Sequence, residues 1–85
     1  MKVLIPTPLR SYTQQAWVEA HGATLDELVD DLERRYPGIR FRMINEQGGM
    51  RPHVRFFVNQ VAVHDMALAL RPTDELCIVQ ALSGG

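Results

Sequence analysis

The sequence has one cysteine and one tryptophan in 85 residues, and its single lysine is Lys2. A lone thiol, Cys77, excludes an internal disulfide and a zinc site built on several cysteines, and it fits a reducing compartment. Positive charge is in no excess either: nine basic residues stand against ten acidic ones, for a net charge of -1. Binding to nucleic acid or to an anionic membrane surface leans on clustered positive charge, so this balance argues against both as partners. Long apolar runs are missing as well. No stretch approaches the roughly 18 residues needed to span a bilayer. The start, Met1-Lys2-Val3-Leu4-Ile5-Pro6, breaks at a proline too early for a secretory signal. Internal repeats and low-complexity segments are absent. The expectation is one cytoplasmic domain spanning residues 1–85. A chain of this size buries roughly 60–65% of its unfolded surface, which leaves one small core and no deep cleft.

What is present is patterned. Val3-Leu4-Ile5 reads as a first strand, weakened at Pro6 and Pro8, where ladder donors are lost. Ser11-Tyr12-Thr13 reads as a turn. Residues 14–21 read as a second strand antiparallel to the first, although glutamine, alanine and glutamate also suit a helix. The helix that follows is the clearest element. Thr24 with Glu27 three residues on forms a capping box, and Leu25, Leu28, Val29, Leu32 and Tyr36 recur on one stripe. Asp26, Asp30, Asp31, Glu33 and Arg34 are placed on the outer face. Acids early and Arg34-Arg35 late complement the helix dipole, and Pro37-Gly38 stops the helix. Residues 39–44 are ambiguous between a strand and a short turn, and 46–49 are a loop. Val54 to Val58 is a strand with Val54, Phe56 and Val58 inward. Asn59-Gln60 is a turn, Val61-Ala62-Val63 a short strand, Arg71 to Asp74 a turn, and 75–82 the last strand. One main helix must then cover one face of a four- or five-stranded sheet, an α+β arrangement. The first and last strands are the most apolar and are expected to lie centrally.

Most residues capable of chemistry read more simply as structure. His21, His53 and His64 share no ligand spacing, so no metal site is expected. Cys77 sits between Leu76 and Ile78 with no local base, which suits a small packed hydrophobe better than a nucleophile. Gly48-Gly49 lacks the Gly-Lys-Ser/Thr ending of a phosphate loop. Arg40, Arg42, Arg51 and Arg55 lie near Phe41, Phe56 and Phe57, a composition conceivable for an RNA-binding face. The five acids between residues 26 and 33 and the near-neutral sum favour a solvated or partner-facing patch instead.

The carboxyl end stands apart. Two glycines at the last two positions arise by chance with a probability of about 0.5% at the usual glycine frequency. A frayed tail or a truncated chain end accounts for Gly84-Gly85 most simply, but the physics of such an end is distinctive. Without Cβ atoms, such residues can enter a narrow channel in any backbone conformation. They can carry the α-carboxylate into the active site of another protein. A carboxylate is a poor electrophile. Joining it to AMP supplies a leaving group, and a sulfur nucleophile that displaces AMP leaves a thiocarboxylate. Residues 82–85 are expected to form a flexible tail.

These pieces resemble a known family. Val3-Leu4-Ile5-Pro6-Thr7-Pro8-Leu9-Arg10, Gly22-Ala23-Thr24-Leu25, Arg34-Arg35-Tyr36-Pro37-Gly38-Ile39, Phe56-Phe57-Val58-Asn59, Asp74-Glu75-Leu76-Cys77-Ile78-Val79 and Ala81-Leu82-Ser83-Gly84-Gly85 together resemble the MoaD/ThiS group of ubiquitin-like sulfur carrier proteins. Within it they are most similar to the CysO-type carriers that deliver sulfur for cysteine synthesis. Thr73-Asp74 stands where the family usually has Gly-Asp, and Gln80 where it often has proline. The resemblance implies a β-grasp fold and a protein co-substrate rather than an enzyme. Gly85 would be adenylated and converted to the thiocarboxylate, with Gly84, Ser83 and Leu82 threading into an E1-like activating enzyme that uses ATP. No cofactor would be bound by the chain itself. The acceptor would be a cysteine-synthase-like enzyme or the large subunit of molybdopterin synthase, and a metalloprotease that trims or releases the tail is a further implied partner.

Strand alternation adds a docking surface. If Leu76 and Ile78 face the core, Cys77 and Val79 face outward, and Phe57 joins them from the neighbouring strand. An exposed apolar patch of that kind marks an interaction site. Three other readings remain at this point: a small subunit of molybdopterin synthase, a ubiquitin-like modifier ending in an isopeptide bond, and a nucleic-acid-binding β domain.

Overall fold

Val3 is fully buried while its neighbour Lys2 is exposed, the alternation of a half-buried strand. In the computed structural model, which describes residues 1–81, this strand is β1, Lys2–Leu4. It pairs antiparallel with β2, Trp17–Glu19, so residues 14–21 contribute three paired residues rather than a full strand. The connection differs from the turn expected at residues 11–13. Thr7–Leu9 forms a 3-10 turn that runs straight into a short helix, α1, Arg10–Thr13. Pro8 lies in the first turn, where its missing N–H has no helical partner to lose. Leu9 and Thr13 are thereby turned inward.

The main helix, α2, spans Leu25–Arg35. Thr24 caps it, its hydroxyl accepting from the Glu27 N–H at 3.2 Å, and Glu27 reaches back to the Ala23 N–H. Leu25, Leu28, Val29 and Leu32 are fully buried. Two further N–H groups of the first turn, which a helix cannot satisfy itself, donate to distant carbonyls: Leu25 to Leu68 and Asp26 to Met66. The loop after the fourth strand therefore completes the helix cap.

Asp31 departs from expectation. Placed on the outer face by its spacing, it is 7% exposed. Its carboxylate accepts from the His21 N–H at 2.8 Å and from Arg34 and Arg35 at 2.9 Å each. Burial would raise its pKa; the His21 N–H and the guanidiniums of Arg35 and Arg34 outweigh burial and hold it down at about 2.

Residues 39–44 are neither strand nor turn. Gly38, at φ 99, adopts a left-handed conformation that a side chain would resist, and Ile39–Met43 then forms a short helix, α3. Glu33 starts it by accepting from the N–H groups of Gly38 and Arg40. Helical spacing resolves the ambiguity physically. Ile39 and Met43, four apart, are fully buried, whereas Phe41, which a strand would place with them, is 57% exposed.

The remaining strands are β3, Val54–Val58; β4, Val61–Val63; and β5, Glu75–Gln80. Asn59 and Gln60, both at positive φ, make the two-residue connection whose twist suits a hairpin. Among the described residues the sheet has five strands in the order β2-β1-β5-β3-β4. β5 lies at the centre, parallel to β1 and antiparallel to β3. The first and last strands are thus both interior, as their apolar content predicts. Val3, Ile5, Val54, Phe56, Leu76 and Ile78 from one sheet face share a single core with the apolar stripe of α2. A mixed sheet with one main helix on one face is the β-grasp arrangement expected of the chain, with two short helices added.

Candidate functional site

The sheet face turned away from α2 carries the candidate site. Alternation leaves Leu4, Trp17, Phe57, Ala62 and Cys77 on this face, and the register aligns them. Trp17 pairs with Leu4, Leu4 with Cys77, Cys77 with Phe57, and Phe57 with Ala62. One apolar row therefore crosses the whole described sheet. Trp17 is 44% exposed, and Leu4, Cys77 and Phe57 are half-buried.

Rows of different chemistry border this stripe. On one side Lys2 lies between Glu19 and Glu75. The ammonium group at Met1 donates to the Glu19 carboxylate at 3.0 Å and, by that bond and its charge, holds the Glu19 pKa below the usual range. On the other side Val79, 41% exposed, pairs with Arg55. Beyond Val79 a groove of about 480 Å³ opens between β5 and the 3-10 turn, walled by Leu4, Pro6, Pro8, Cys77 and Val79. An apolar stripe edged by charge can accept a complementary protein surface, the charges fixing its orientation.

Of the residues singled out in the sequence, Phe57 and Cys77 are direct partners and Val79 shares their face. Leu82, Ser83, Gly84 and Gly85 lie outside the described residues. Trp17, Leu4 and Ala62 belong to the same row and were missed. The signal for them is the alternation within each strand, but it becomes readable only when the register is known. Their position relative to the chain end follows from β5. At its end the Ala81 N–H donates to the His53 carbonyl at 2.8 Å, so the central strand leads directly to residue 82.

The remaining candidates are dispersed. Arg40 is committed to Asp26 and Asp30 at 3.2 and 2.9 Å. Phe56 is in the core and Phe57 on the opposite face from it, so the basic-aromatic cluster read from the sequence is not one surface. Asn45 organises the loop containing Gly48 and Gly49, its side-chain oxygen accepting from the Gln47 and Gly49 N–H groups. Among the described residues no three histidine, cysteine or carboxylate side chains converge as metal ligands, and no helix is long and apolar enough to cross a membrane.

Known proteins share this sequence and architecture. Residues 3–85 match the model of the ThiS family. The sulfur carrier protein CysO of Mycobacterium tuberculosis (strain ATCC 25618 / H37Rv) is 36% identical over 89 residues, covering 98% of this chain and 96% of that protein. A chain in the crystal structure of the Amycolatopsis orientalis BexX/CysO complex superposes with a TM-score of 0.90 at 35% identity, covering 99% of this chain and 98% of that one. The crystal structure of Mycobacterium tuberculosis CysO gives 0.89 at 34% identity, over 95% and 98%.

Proposed function

Because the chain belongs to the ThiS family, we propose that it is a sulfur carrier protein whose terminal carboxylate, on Gly85, is the working group. An E1-like enzyme transfers AMP from ATP to this carboxylate and releases pyrophosphate. A sulfur nucleophile then attacks the acyl carbon, AMP departs, and a thiocarboxylate remains. That group is ionised at neutral pH and nucleophilic through sulfur. It gives its sulfur to an acceptor in biosynthesis, and hydrolysis returns the carboxylate.

The folded domain acts as the handle and the partner enzymes supply the catalysis. The observation that carries the reading is the family match, which runs through the final glycine, joined to a central strand that leads straight into the last residues. The apolar row through Leu4, Cys77 and Phe57, with Val79 beside it, is the surface we assign to docking on the activating enzyme. The similarity to CysO proteins supports an acceptor enzyme of the cysteine-synthase type over a molybdopterin synthase large subunit. A metalloprotease that trims or releases the tail remains part of this scheme, and the cytoplasm is the compartment assigned to it.

Incubation with the activating enzyme, ATP and a sulfide source, followed by intact-mass measurement, tests the assignment. The expected product has one oxygen replaced by sulfur at Gly85. Deleting Gly84 and Gly85 abolishes the change. Sulfur gained by the truncated protein would overturn the reading.

A further inference from the structure

A second surface lies where the last described strand ends. Phe41, Arg42, Arg51, His53 and Gln80, with Pro8, wall a pocket of about 310 Å³. We propose that this pocket receives an aspartate or glutamate side chain of the enzyme that engages the tail, forming a polar anchor separate from the apolar sheet face. The proposal rests on the carrier reading.

Reach makes this end of the molecule close to any such enzyme. Ala81 is tied to His53, and four residues follow it. At full extension they span no more than about 14 Å. An enzyme that acts on the Gly85 carbonyl therefore stands within that distance of Ala81, beside the pocket.

Charge selects what fills it. Arg34, Arg35 and Arg40 each hold an aspartate, but among the described residues no carboxylate lies within ion-pair distance of Arg42 or Arg51. Arg51 is already positioned: its Nε donates to the Phe41 carbonyl at 2.7 Å, and its guanidinium lies 4.5 Å from the centre of the Phe41 ring. This leaves its terminal nitrogens in a fixed fork suited to a carboxylate. A guanidinium covered by a protein surface without a counter-charge would be strongly penalised, so a partner that closes over this end must bring an acid. Nucleic acid fits less well, because Arg40 is occupied by Asp26 and Asp30 and the chain as a whole is at -1.

The test is ATP–pyrophosphate exchange catalysed by the activating enzyme of the same organism, with the full chain as substrate and salt varied. Arg42 is exposed and unbonded among the described residues, so Arg42→Glu probes charge without disturbing the fold, and circular dichroism checks this. Arg42→Gln/Arg51→Gln is the second variant. Each is expected to raise KM about ten-fold without changing kcat and to flatten its dependence on salt. Unchanged KM and salt dependence in both variants overturns the proposal while leaving the carrier reading intact. Arg42-dependent binding of a labelled single-stranded RNA at about 150 mM salt, with KM unchanged, also overturns it and assigns the pocket to nucleic acid. Absence of exchange with the unaltered protein overturns the carrier reading and this proposal together.

Discussion

Phe57 on β3 and Cys77 on β5 are direct cross-strand partners on the face turned away from α2. The cysteine is thus one element of a continuous apolar row, flanked by Leu4 as well as Phe57. Its place in that row explains a thiol held in a central strand without a neighbouring base.

If this row docks on partner enzymes, Phe57→Asp and Val79→Asp will weaken activation while sparing the fold. Each is expected to raise KM for adenylation by about ten-fold or more, as central apolar residues of an interface do. Thermal melting within a few degrees of the unaltered protein serves as the control. A normal KM in both variants removes the docking role.

The adjacent phenylalanines should separate stability from function. Phe56 is fully buried in the core, so Phe56→Ala is expected to cost about 3–5 kcal/mol, a large fraction of the total for a small domain. Phe57→Ala is expected to cost far less and to affect partner binding instead. Urea denaturation of the two variants makes the comparison.

Asp31 predicts an acid limb in the stability curve. Its folded pKa of about 2 lies below the ordinary 3.8. Its contribution is therefore complete above pH 4 or so and is lost as pH falls toward about 2. Asp31→Asn, which leaves Arg34, Arg35 and the His21 N–H without the carboxylate, should lower stability at neutral pH by about 1–2 kcal/mol. The gap between the two proteins should close on acidification. Denaturation measured from pH 7 to about pH 2 checks both the size and the sign; a gap that widens toward acid contradicts the network.

Gln60, at φ 72 in the β3–β4 connection, occupies a conformation in which glycine is at ease. Gln60→Gly, giving Asn-Gly in the turn, is expected to stabilise the protein by about 0.5–1 kcal/mol. An unchanged or lower denaturation midpoint would contradict the turn geometry.

Several elements were readable because their causes are local. Thr24 and Glu27 with the stripe Leu25, Leu28, Val29 and Leu32 specify a capped amphipathic helix within three turns of chain. Alternation in Val54 to Val58 and at Leu76 and Ile78 separates the two sheet faces, and Asn59-Gln60 marks the hairpin. Asp31 misled for the same reason: its helical position says where it points on an isolated helix, not that the His21 backbone and two arginines meet it there. Residues 39–43 misled because their apolar spacing fits two periods over so short a run. The choice was made by Glu33 capping from the preceding helix and by the core receiving Ile39 and Met43.

The sequence by itself determined the main helix, the inward and outward faces of the principal strands, and the Gly84-Gly85 pair with the family resemblance around it. Tertiary structure decided the order of the strands, the alignment of Trp17, Leu4, Cys77, Phe57 and Ala62 into one row, the cap that Met66 and Leu68 provide to α2, and the basic pocket at the end of β5. The division has a physical cause. Propensity, capping and periodicity act over a few residues, whereas register and neighbours are set by which distant surfaces can be buried together with their polar groups satisfied.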